Sequence, residues 1–170
     1  GTWIASLGAL DLSLGGRARG GQFAVAIGFI LACTGSVSGS PLIVDLATAS
    51  DVVRFRGEEI GDETGVEVVG CDVNGDGLLD LIVSAWLADG PNNSRTYSGE
   101  VSVIFGRRGA WSGEHELATS KDVWIVGHQA FDSAGSGLGC GDLNQDGMSE
   151  IFIGAPDADR VIVLMGSGCG

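Results

Sequence analysis

The chain repeats itself. GCDVNGDGLLDLIVSAW over residues 70–86 returns 70 residues later as CGDLNQDGMSEIFIGAP over 140–156. Upstream, LATASDV (46–52) matches LATSKDV (117–123), and FILACTG (29–35) matches EVSVIFG (100–106), both at an offset of 71. Near the end, VIVLMG (161–166) reads like VSVIFG (101–106). A repeat limits the fold more than composition does. Each unit must be the same supersecondary structure, and each must bury its apolar face on a neighbour. The unit is about 70 residues, so the 170-residue chain divides into three parts. Residues 1–44 are a degenerate repeat or a strand-donating arm. Residues 45–115 are a first repeat with a loop at 72–80. Residues 116–170 are a second repeat, with a loop at 142–150 and the start of a further unit.

Within a unit the apolar runs are short. LDLIVSA, EIFIGA, EVSVIF, DVWIV and RVIVLM are β-branched or alternating stretches bounded by Gly, Asn, Asp and Ser, which is the pattern of strands and tight turns. No amphipathic pattern of ten or more residues suggests a helix. Several strands per repeat predict an all-β fold in which each unit is a four-stranded antiparallel sheet, the blade of a β-propeller or a related stack.

The chemistry lies between the strands. Asp72, Asn74, Asp76 and Asp80 occupy positions 1, 3, 5 and 9 of one loop, and Asp142, Asn144, Asp146 and Glu150 occupy the same positions of the other. Calcium takes six to eight oxygens, and alternate positions on a tight loop can aim several of them at one point. Gly77 and Gly147 permit the sharp turn that would bring in the backbone carbonyls of Leu78 and Met148 at position 7. An EF-hand would need Glu at position 12, where Val83 and Ile153 stand. These loops therefore join strands. The alternative is a metal-free Asx-rich hairpin turn.

These residues resemble the FG-GAP repeat family, the blades of integrin-α-like propellers and of bacterial-type surface and secreted proteins. The second copy carries Gly154-Ala155-Pro156, and Ser84-Ala85-Trp86 takes that place in the first. The family's Phe-Gly pair appears as Thr64-Gly65 and Ala134-Gly135. The resemblance covers about residues 30–170 and implies a non-catalytic, extracellular module. Two calcium ions would stiffen the loops on one face, held by Asp72, Asn74, Asp76, Leu78 and Asp80 and by Asp142, Asn144, Asp146, Met148 and Glu150.

Length then becomes a problem of closure. Propellers close with roughly four to eight blades, and about two and a half repeats leave sheet edges bare. The expected function is a structural subunit of a self-assembling fibre or ring, with residues 1–44 adding a strand to a neighbouring copy or completing the chain's own last blade. The alternatives are a calcium-dependent adhesion module that binds a protein or glycan, and a piece of a longer protein. The chain begins at Gly1 and so reads as a processed or truncated product.

Charge narrows the partners further. The net charge is −13, and all acidic residues except Asp11 follow residue 44. Such a surface repels phosphate backbones, which argues against nucleic acid. No apolar run reaches transmembrane length. The longest, Phe23–Cys33, resembles a lipoprotein leader but is read as a buried strand pair. Cys33, Cys71, Cys140 and Cys169 permit two disulfides in any of three connectivities, or remain buried thiols. Asn92-Asn93-Ser94 is a glycosylation sequon in a polar loop. Trp86 and Trp111 flank loops and are candidates for ligand contact, with blade packing as the alternative. His115 and His128 accompany no metal or nucleophile motif, and the chain carries neither GxSxG nor a Walker loop, so no enzyme is expected.

Overall fold

The computed structural model describes residues 45–50 and 52–168. The expectations for residues 1–44, and those for Cys33 and Cys169, lie outside the described residues.

The chain forms β1 (Val53–Arg56), β2 (Thr64–Cys71), β3 (Asp80–Ala85), β4 (Glu100–Ile104), β5 (Gly113–Glu116), the single helical turn α1 (Leu117–Ser120), β6 (Val123–Val126), β7 (Gly137–Gly141), β8 (Glu150–Ala155) and β9 (Arg160–Leu164). A four-stranded antiparallel sheet has the order β2-β3-β4-β6, and a three-stranded antiparallel sheet has the order β7-β8-β9. The blade read from the repeat is thus present complete in the first sheet and with three strands in the second.

The two central strands of the first sheet explain its stability. Side chains of a strand alternate between faces, and β3 and β4 bury apolar side chains on both. One face sets Ile82, Val101 and Val103 against Ile151, Ile153 and Ala155 of the second sheet. The opposite face sets Val83 and Ile104 against Leu117, with Phe55, Leu81 and Trp111 around them. Every residue of β4 is buried. A fully buried Ile or Val contributes about 1.5–3 kcal/mol, so these two strands anchor the stack.

The sheet and the sequence repeat are out of phase. Glu100–Val103 of β4 pair with Val126–Val123 of β6, so the first sheet takes its outer strand from beyond residue 116. Val53–Arg56 stand 70 residues before Val123–Val126, and Gly57, Asp62 and Gly65 stand as far before Gly127, Asp132 and Gly135. β1 therefore holds the place in its repeat that β6 holds in the next. In the structure β1 pairs in parallel with β5, Val53 opposite Gly113.

Cys71, the last residue of β2, is joined by a disulfide to Cys140 in β7, with their Cα atoms 6.4 Å apart. The bond ties together the first strands of the two sheets.

Candidate functional site: the paired acidic loops

Each loop closes the hairpin between the first two strands of its sheet, and its ninth residue opens the second strand: Asp80 begins β3 and Glu150 begins β8. The two loops carry the same bends. Gly77 and Gly147 have φ of 81° and 92°. Gly75 has φ of 76°, and Gln145 keeps the left-handed conformation at the matching place with φ of 63°.

The carboxylates and amides are gathered over the loop backbone. Asp72 Oδ1 accepts the N–H groups of Gly75 and Asp76 at 2.7 and 3.1 Å, and Oδ2 accepts that of Gly77 at 2.8 Å. Asn74 Oδ1 accepts Asp76 N–H, and Asp76 Oδ1 accepts Leu78 N–H. In the second loop, Asp142 accepts from Asp146 and Gly147, Asn144 from Asp146, and Asp146 from Met148. The two webs coincide bond for bond, except that Gly75 N–H has no counterpart. As placed, no three Asp, Glu, His or Cys side chains among the described residues form a ready cluster for a metal ion.

The ninth position differs between the loops. Asp80 and Glu150 are both fully buried. Asp80 Oδ2 accepts Val73 N–H at 2.9 Å and Oδ1 accepts Gly106 N–H at 2.8 Å. Burial pushes its carboxyl above the ordinary range, and the charges of Asp76 and Asp72 add to this against the two N–H groups. Glu150 Oε2 accepts Leu143 N–H at 2.7 Å, whereas its Oε1 has no hydrogen-bond partner. Gly166 is the repeat counterpart of Gly106, yet it supplies no N–H to the longer Glu side chain. A buried carboxylate oxygen without a partner is costly. A hard cation relieves that cost, and an all-oxygen donor set of this kind suits calcium. Val83 and Ile153, at position 12, are buried in β3 and β8 and offer no ligand.

The other candidates are dispersed. Trp111 packs edge-on to Phe55 and His115, at 5.6 and 5.5 Å between ring centres, with Arg107 5.2 Å above its ring. Trp86 is half-buried just after β3. Asn92 is exposed in the 3-10 turn Pro91–Asn93 with φ of 55°.

Sequence reasoning missed an acidic cleft of about 460 Å³ whose lining includes Glu58, Glu59, Asp62, Asp89, Glu100 and Trp124. Lys121 lies 4.2 Å above the Trp124 ring and ion-pairs with Glu58. Trp124 Nε1 donates to Glu100 at 2.7 Å, yet burial still raises the Glu100 carboxyl above its ordinary range. Asp62 is raised by burial and by the charges of Glu59, Asp89 and Glu58. These residues share no motif, so only the fold brings them together.

Comparison with known proteins decides the family. The model of the FG-GAP repeat matches residues 64–104, which run from the start of β2 to the end of β4 and enclose the first loop. The chain is 35% identical to integrin alpha-PS3 of Drosophila melanogaster over 121 residues, which is 68% of this chain and 10% of that protein. It is 32% identical to integrin alpha-5 of Xenopus laevis over 119 residues, 68% of this chain and 11% of that protein. The chain belongs to the FG-GAP repeat family. It is also 30% identical to human integrin alpha-IIb over 125 residues, 69% of this chain and 12% of that protein. The FG-GAP chain thus matches about a tenth of the length of these relatives. The glycine kept from the family's Phe-Gly pair has a steric reason in the second repeat. Gly135 has φ of 91°, and a Cβ there would lie 3.0 Å from Ser84 Cβ and 3.1 Å from Val101 Cγ2.

Proposed function

We propose that this chain is a non-catalytic, calcium-binding adhesion or recognition module of an extracellular protein. The observation that carries the reading is the pair of matching acidic loops, one with a buried Glu150 oxygen that lacks a partner. Asp72, Asn74, Asp76, Asp80 and the Leu78 carbonyl would hold one ion, and Asp142, Asn144, Asp146, Glu150 and the Met148 carbonyl the other. The ions would fix the hairpin loops at one end of the blades, where a protein or glycan ligand would dock. The integrin relatives support the adhesive role. The Cys71–Cys140 disulfide suits an oxidising, extracellular setting. Residues 45–115 and 116–170 are read as the two repeats, and Asn92 as an accessible glycosylation site.

Removing calcium with EDTA is expected to lower the melting temperature. A ligand at a hundred times its Kd stabilises by about 2.7 kcal/mol per site. Asp76→Ala and Asp146→Ala should each remove about half of that calcium-dependent gain. A melting curve indifferent to both calcium and EDTA would sink the reading.

A second reading, self-assembly into a fibre or ring, rests on β9. Its five residues are all exposed, Val161 at 70%, whereas its counterpart β4 is buried and is paired on its outer edge with β6. Among the described residues β9 pairs only with β8. An apolar edge of this kind is a template for a strand from another copy. Sedimentation velocity should show association that grows with concentration and is abolished by Val163→Lys. A wild type that stays monomeric at high concentration would end this reading.

A further inference from the structure

We infer that the two acidic loops act as one coupled unit, so that a cation in either loop raises the affinity of the other. This inference rests on the proposed calcium sites and adds that they are not independent. Two contacts join the loops directly, and a disulfide ties the strands that lead into them. Ser149 N–H donates to the Asp72 carbonyl oxygen at 2.7 Å. The Met148 side chain lies against Gly75, so that a Cβ on Gly75 would meet Met148 Cγ at 3.0 Å. The disulfide holds Cys71, which directly precedes Asp72, to Cys140, which stands two residues before Asp142.

The residues in contact are the ones that matter for an ion. Ser149 sits between Met148, whose carbonyl is the seventh-position ligand, and Glu150, the ninth. An ion in the second loop would fix both neighbours and so hold Ser149 N–H on the Asp72 carbonyl oxygen, to which it already donates. Asp72 is the first ligand of the other loop, and its carboxylate already organises three N–H groups there. Ordering one loop therefore removes part of the entropy cost of ordering the other, which is positive coupling. Repulsion between two dications opposes it. The second loop is exposed over most of its length and the first at its tip, and at 0.15 M salt charges are screened over about 8 Å. The mechanical effect therefore wins, and adding salt should strengthen the coupling.

Isothermal titration with calcium on the intact chain tests this. Asp146→Ala should weaken binding at the remaining first loop about fivefold or more relative to its affinity in the wild type, and Asp76→Ala should weaken the second loop by the same factor, because coupling is reciprocal. Met148→Ala keeps the carbonyl at position 7 and removes the side-chain contact on Gly75, and it should shrink both factors. Two ions bound by the wild type, with each single-loop variant leaving the other affinity unchanged, would overturn the coupling and leave the sites standing. Coupling of negative sign that fades with salt would overturn it too. A wild type that binds no calcium would overturn the sites and the coupling together.

Discussion

Replacing both Cys71 and Cys140 by serine is expected to cost about 4 kcal/mol of folding stability. The two residues are 69 positions apart. In the chain-entropy account a cross-link over that span restricts the unfolded chain by about 4 kcal/mol, between the figures for loops of 15 and 100 residues. The bond also acts where the fold is most divided. The two sheets are separate in their hydrogen bonding, and one core cluster spans them. Releasing the first strands of both sheets leaves that cluster and a few hydrogen bonds outside the strands, such as Ser149 N–H to the Asp72 carbonyl oxygen, to hold them. Urea unfolding of the oxidised wild type, the reduced wild type and the double serine variant measures the effect, and the last two should coincide. A loss below about 1 kcal/mol would mean that the cluster suffices without the bond.

Much of this was legible because the repeat fixes two periods at once. Short β-branched runs over β3 and β8 and the apolar alternation of β4 mark strands, and the oxygen spacing marks the loops between strands. Val83 and Ile153, which argued against an EF-hand, are buried strand residues. What escaped depends on pairing across distance. β5 is GEHE, with no apolar alternation, and becomes a strand only because β1 lies beside it. The assignment of β6 to the sheet of the preceding repeat is invisible in the 70-residue offset, which is the same wherever the unit is cut. Spacing could not choose among the pairings open to Cys71. Asp62, Asp89, Glu100 and Trp124 meet only after the chain has folded. Gln145 takes a left-handed conformation that a sequence reading assigns to glycine.

Gly99→Ala is expected to destabilise the chain by about 2–5 kcal/mol. Gly99 lies just before β4, where the first sheet meets the segment leading into β7. Its φ is 79°, and a Cβ would collide with the Ala134 backbone, including its carbonyl oxygen and its nitrogen. That backbone has little freedom to yield, since Ala134 N–H donates to Ser98 carbonyl oxygen at 3.0 Å and Gly135 N–H to Gly154 carbonyl oxygen at 2.9 Å. Gly99 itself is held by its N–H to Ala88 and by its carbonyl oxygen from Gly127. A left-handed residue with a side chain costs about 1–2 kcal/mol, and overpacking adds about 1–3 kcal/mol. Gly113→Ala separates the two costs. Gly113 has φ of 82° and nothing within 4 Å of its would-be Cβ, so it should show only the conformational part, about 1–2 kcal/mol. Chemical denaturation of the two variants side by side measures the difference. Equal losses would show that the Ala134 backbone can move aside and that the junction between the sheets is softer than its hydrogen bonds imply.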